Sequence, residues 1–168
     1  DGGDELFAGY PAFQAHRLME RLSTQYRVLG RTKDAVTLMT WMVHTLNPHD
    51  NQGMRFLLIH DLLRLNRPTD AITLGNQYPD DFSAMRYGHA LAFYLNKDTG
   101  AALSALHNAC NRYPEVRKML IADNPRKPRL NEGYITVGGK DEAWVYRQEQ
   151  WDLWQSSGGL AWLKAMRI

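Results

Sequence analysis

The sequence predicts an all-α protein built of antiparallel helix pairs stacked as a solenoid, and three observations predict it. Apolar residues recur at three- and four-residue steps along most of the chain, the spacing of one helix face. Prolines at 48, 79 and 114, spaced 31 and 35 apart, close successive stretches of similar length. The segment LNRPTDAITL (65–74) lines up with LNKDTGAALS (95–104) at an offset of thirty, which makes the pattern a repeat.

Residues 11–31 hold one amphipathic helix, with Phe13, Leu18, Leu22 and Leu29 on a loose stripe. In KDAVTLMTWMVHTL (33–46), Ala35, Leu38, Met39, Met42, Val43 and Leu46 fall at helical steps. Asn47-Pro48 stops this second helix, because a residue before proline is pushed out of the α region. DNQGMRFLLIHDLLRLN (50–66) begins at a capping Asp50 or Asn51 and is apolar around more than half its circumference, which predicts burial. Pro68 suits the first turn of the next helix, whose inner face of Ala71, Leu74 and Gly75 is small. Asp80-Asp81 opens another, with Met85, Gly88, Ala92 and Leu95 on one side. Thr99 leads into a sixth, with Ala102, Leu106, Ala109 and Cys110 inward.

After Leu120 the texture changes. ADNPRKPRLNEGYITVGG (122–139) mixes prolines, glycines and basic residues and reads as an irregular linker with a brief extended piece at YITV. Beyond it, KDEAWVYRQEQWDLWQSSGGLAWLKAM returns to helix, dense in Trp144, Trp151, Trp154 and Trp162, and Gly158-Gly159 breaks it in two. Trp144, Trp151 and Trp154 fall on one stripe, which predicts a core face with a peptide-binding hot spot as the alternative.

A period of about 34, made of two short antiparallel helices with small residues at the crossing and proline at the end, is the pattern of tetratricopeptide-type repeats. Ala71, Gly75, Gly88 and Ala101 would let helices approach closely, while Tyr87 and Phe93 fill the gap to the next pair. One such pair cannot bury its apolar faces alone, so pairs stack. The expected organisation is an N-terminal segment at 1–33, helical repeats at 34–121, a linker at 122–139 and a Trp-rich helical cap at 140–168.

Composition narrows the function classes. With 44% hydrophobic and 23% charged residues the chain matches a globular protein, and its 20 basic and 18 acidic residues leave a net charge of +2, which demands neither nucleic acid nor an anionic membrane as partner. The single cysteine, Cys110, can form no internal disulfide and lacks zinc-ligand spacing, so a buried apolar role is expected. Six scattered histidines show no metal-binding pair, and His60-Asp61 beside Arg64 reads as a solvated helix face. Arg126, Lys127 and Arg129 carry no interleaved aromatics, a weak case for nucleic acid. No stretch approaches the ~18 apolar residues of a membrane span and no signal peptide opens the chain, so the expected location is cytoplasmic. Because the first residue is Asp1, a truncated or fused N-terminus is expected.

From about 35 to 163, LNPHDNQGMRFLLIHDLL, YPDDFSAMRYGHALAFYL and GGKDEAWVYRQEQWDLWQSSGGLAWL resemble a group of bacterial tetratricopeptide-like proteins, distantly similar to a eukaryotic suppressor-of-tumorigenicity family. That resemblance implies a helical repeat fold and protein binding. The opening GGDELFAGY (2–10) resembles a segment of the asparagine synthetase family, glutamine-hydrolysing amidotransferases that activate a carboxylate with ATP. There Gly3, Asp4 and Glu5 match positions of the synthetase site. The family's Ser-Gly-Gly-x-Asp-Ser loop, whose backbone N–H groups cradle pyrophosphate, is absent; SGGLAW (157–162) has Ala161 and Trp162 where Asp and Ser belong.

The function expected from these residues is a non-catalytic protein-binding or scaffold module, with no cofactor, no metal, no membrane partner and no catalytic residue. A protein or peptide would bind in the groove lined by the first helix of each pair, with Arg55, Arg64 and His89 as polar contacts. The alternative is a fragment of an ATP-dependent, asparagine-synthetase-like amidotransferase that would use ATP and Mg and bind substrate at Gly3, Asp4 and Glu5. Without the pyrophosphate loop such a fragment would be inactive alone.

Overall fold

The computed structural model describes residues 11–50, 52–79 and 82–167. Among the described residues the chain is helical and contains no strand, as the periodicity predicts. Its elements are α1 (Pro11–Val28), α2 (Thr32–Trp41) running into a π-helical turn at Met42–Leu46, α3 (Met54–Arg64), α4 (Pro68–Gln77) and α5 (Ser83–Leu95). They continue with α6 (Thr99–Arg112), α7 (Pro114–Ile121), α8 (Lys140–Ser156) and α9 (Gly159–Ala165). Two compact units divide the chain, Asp1–Asp61 and Leu62–Ile168, the boundary falling inside α3.

One turn is used three times. At Gly30, Asn66 and Lys97 the backbone is left-handed, with φ of 69°, 57° and 63°. Each of these residues donates its N–H to the carbonyl three residues back (Arg27, Leu63, Tyr94; 3.0 Å in each case). The following residue donates five back, Arg31 to Tyr26, Arg67 to Leu62 and Asp98 to Phe93. This pair of bonds satisfies two of the carbonyls that a helix end leaves open, and it reverses the chain within three residues. The next helix starts at once, at Thr32, Pro68 and Thr99. In two copies the arginine after the turn pairs with an aspartate three residues on, Arg31 with Asp34 and Arg67 with Asp70; in the third, Asp98 itself caps the helix by accepting from the Ala101 N–H.

Packing repeats with the turn. Five residues after each left-handed position stands a fully buried alanine, Ala35, Ala71 or Ala102, where a small side chain lets the neighbouring helix close in. The structural register between the second and third copies is therefore 31, one residue longer than the offset of thirty read from LN aligned with LN.

In the first unit α1 packs on α2. The stripe of Leu18, Leu22 and Leu29 faces solvent, Leu18 being 67% exposed, while Ser23 on the opposite side of α1 is buried. Ala35, Val36, Met39, Met42 and Val43 form the buried side of the next stretch. Asn47 closes its π turn by donating to the Met42 carbonyl at 2.8 Å, and Pro48 ends it. Asp50 caps α3, its carboxylate accepting from the N–H groups of Met54 and Arg55.

His60 and Asp61 correct the expectation of a solvated face, for they are 0% and 2% exposed. Each has a partner that makes burial tolerable. His60 Nδ1 donates to the Phe56 carbonyl at 2.9 Å, and Asp61 accepts from Arg27 Nε at 2.7 Å.

In the second unit α5 lies between α4 and α6, α7 packs on α8, and α9 touches α5, α7 and α8. Pro114 begins α7 at its first position, so it starts a helix there rather than only ending one. Arg147 of α8 donates to the carbonyls of Met119 and Leu120, the open end of α7. Of the tryptophan stripe only Trp154 is core, at 0% exposure; Trp144 and Trp151 are half-buried. Gly158, left-handed at φ 80°, separates α8 from α9 as expected.

The linker is pinned at its end. Thr136 N–H donates to Asp141 and Gly138 N–H to Glu142, both in the first turn of α8, and Glu142 also accepts from Ser83 at the start of α5.

Two outcomes are expected. Lys97→Gly removes a strained left-handed lysine and raises stability by about 0.5–1 kcal/mol in urea unfolding, whereas Ala102→Leu overpacks the crossing and lowers it by about 1–3 kcal/mol. The Thr136 N–H holds the Asp141 carboxyl below the usual carboxylate range. A lowered folded-state value means this contribution is present above the unfolded value and is lost as pH falls through the folded one. Asp141→Asn should therefore be destabilising near neutrality, and its difference from wild type should shrink as acid titrates the carboxyl.

Candidate functional site

A recess of about 350 Å³ opens where α4, α5 and α6 meet. Its α6 wall is Ala101, Ser104, Ala105 and Asn108, which one helical stripe brings into line. The residues are small, so α6 leaves space that a leucine stripe would fill. Gly75 and Asn76 of α4 form a second wall, and Arg86, His89 and Phe93 of α5 form the third.

His89 organises this site. Its ring lies 4.6 Å from that of Phe93, tilted by 39°. A Cβ built on Gly75 would come within 2.5 Å of the imidazole, so the ring rests against the α4 backbone through a gap that only glycine leaves. Burial pushes the His89 pKa below its ordinary value, which keeps the ring neutral at physiological pH. Its Nε2 is buried and makes no hydrogen bond, and an unmet bond of this kind costs about 1–3 kcal/mol. The recess thus joins two tilted rings, the neutral imidazole of His89 and the ring of Phe93, to the amides of Asn76 and Asn108.

Arg64 and His89 share the second unit but line different recesses. Arg64 donates to the Glu149 carbonyl at 2.8 Å and the Gln150 side chain at 2.9 Å, and lies 3.5 Å from Asp152. It borders a recess of about 300 Å³ with Leu95, Ser156 and Ser157. Arg55 belongs to the first unit, where it folds over Phe56 and bonds both the carboxylate and the carbonyl of Asp50. The repeated turns join α1 to α2, α3 to α4 and α5 to α6, so all three stand on first helices of their pairs, whereas the small stripe stands on a second helix. Asn76, Arg86, Ser104 and Asn108 escaped the sequence reading. Ala-x-x-Ser-Ala-x-x-Asn at 101–108, small and polar on one helical stripe, is the signal that could have found them.

Gly3, Asp4 and Glu5 lie outside the described residues. Among the described residues no three His, Cys, Asp or Glu side chains gather into a group able to hold a metal ion, and no helix is long and apolar enough to cross a membrane.

The dependence of the His89 ring's position on Gly75 is testable. Gly75→Ala should lower stability by about 1–3 kcal/mol, although alanine ordinarily gains about 1 kcal/mol over glycine in a helix. In a His89→Ala background the same substitution should turn neutral or stabilising, read from urea midpoints.

No family model, curated protein or solved structure matches the chain.

Proposed function

We propose that this chain is a non-catalytic protein-binding module of tetratricopeptide-like repeats, and that it takes an extended peptide segment in the α4–α5–α6 recess. The observation that carries the reading is the small stripe of Ala101, Ser104 and Ala105, which leaves a trough over His89 and Phe93. Peptides in extended form present backbone N–H and C=O groups along their edges, and the Asn76 and Asn108 amides can donate to and accept from such groups. A recess preformed by packed helices leaves most of the ordering cost to the peptide. Support for the repeat comes from the threefold turn and its buried alanines, whose spacings of 36 and 31 bracket the tetratricopeptide period of about 34. His89 remains a contact in this reading, while Arg55 and Arg64 serve the scaffold. A cytoplasmic location goes with it.

Selection from a displayed peptide library tests this. Peptides enriched on the wild-type chain should lose at least about tenfold in affinity when Ala105→Trp fills the trough, while Leu103→Ser, on the outer side of α6, should leave them unchanged. Failure to enrich any peptide, or enrichment indifferent to Ala105→Trp, would contradict the proposal.

A further inference from the structure

The strongest unassigned feature is the end of the linker between α7 and α8. Residues 129–137 are exposed without interruption. Among them Tyr134 is 64%, Val137 56% and Ile135 49% exposed, with Leu130 at 41%. Large apolar side chains scattered singly on a surface need no explanation, but a cluster held in water does.

This cluster is held by construction. Gly133 and Gly138, both left-handed with φ of 83° and 77°, bracket Tyr134–Val137. Thr136 and Gly138 are tied through their N–H groups to Asp141 and Glu142. A side chain at Gly139 would collide with Thr136 and Asp141, so the base of the loop admits only glycine there. The tip is therefore a defined apolar projection from a helical unit.

Its charge indicates what covers it. Arg126, Lys127 and Arg129 precede the tip and Lys140 follows, all exposed, against a single acidic side chain, Glu132, in the same stretch. We infer that this loop docks onto an anionic lipid surface, with Tyr134, Ile135 and Val137 entering the interface and the basic residues resting on the headgroups. Tyr suits the interfacial layer, aliphatic tips gain from leaving water, and each basic residue near such a surface strengthens partitioning about fivefold. A fluid surface also accepts an irregular loop, which presents no strand or helix for a protein groove to read. Stacking on nucleic acid would call for more than one ring beside the basic residues. The attachment is peripheral and independent of the peptide recess.

The test is co-sedimentation of the 168-residue chain with extruded vesicles of phosphatidylserine and phosphatidylcholine, or of phosphatidylcholine alone. The chain should partition at least about tenfold better onto the anionic vesicles. Ile135→Ser with Val137→Ser should weaken that binding about tenfold or more. Replacing Arg126, Lys127 and Arg129 by Gln should remove the preference for anionic vesicles. Leu103→Ser, an exposed apolar residue elsewhere, should bind as wild type. All these positions are exposed, and unchanged far-ultraviolet circular dichroism verifies that each variant is folded. Absence of binding to anionic vesicles, equal binding to both vesicle types, or binding unaffected by the tip substitutions would overturn the inference. So would tighter binding to a single-stranded oligonucleotide that survives the tip substitutions.

Discussion

The second unit depends on burying two large aromatic side chains that each carry a polar atom, Tyr87 on α5 and Trp154 on α8, both at 0% exposure. Their rings meet edge to face, 6.2 Å between centroids, a geometry that adds about 0.5–1.5 kcal/mol to the gain from burial itself. Burial is tolerable because neither polar atom is orphaned. The Tyr87 hydroxyl donates to the Tyr113 carbonyl at 2.9 Å, at the junction of α6 and α7, and the Trp154 indole N–H donates to the Tyr146 hydroxyl at 3.0 Å. From Trp154 the contacts continue to Trp162 on α9, which stacks on Tyr94 of α5 at 4.6 Å. Three helices are thereby joined through one aromatic cluster, which the Tyr87 hydroxyl ties to the α6–α7 junction, and desolvation raises the pKa of Tyr87 and Tyr146 so that both hydroxyls stay protonated.

The recess follows from that cluster by helical geometry. Tyr87 and His89 are two residues apart on α5, about 200° around its axis, so fixing Tyr87 inward turns His89 to the far side. Phe93, one turn beyond His89, joins it there. On α6 the buried residues Ala102, Leu106 and Ala109 set the rotation that brings Ala101, Ser104 and Ala105 to the recess. The face of α5 that stabilises the unit and the face that forms the candidate site are opposite sides of one helix. Changes on the recess side can thus reshape the recess without touching the aromatic cluster.

Much of this was legible in the sequence. Ala71, Leu74 and Gly75, then Ala102, Leu106, Ala109 and Cys110, are buried where the helical period put them, and Gly158 breaks the last helix where a left-handed residue is needed. What the period could not supply is tertiary. The burial of Asp61 rests on Arg27, thirty-four residues away. Leu18 and Leu22 look like a core stripe, yet a hydrophobic stripe does not say which side a neighbour will cover. The register of the repeat slipped by one because the structure equates Asn66 with Lys97. A lysine carries no compositional mark of the left-handed turn, which is fixed by two backbone hydrogen bonds. The recess leaves no pattern of charge in the sequence, because its α6 wall is defined by small residues.

A double-mutant cycle on Tyr87→Leu and Trp154→Leu, by urea unfolding followed through circular dichroism, addresses the aromatic contact most directly. The two losses should fall short of additivity by about 0.5–1.5 kcal/mol, because removing either ring already forfeits the contact. Additive losses, with no coupling between the positions, would contradict the account of a unit organised on that contact.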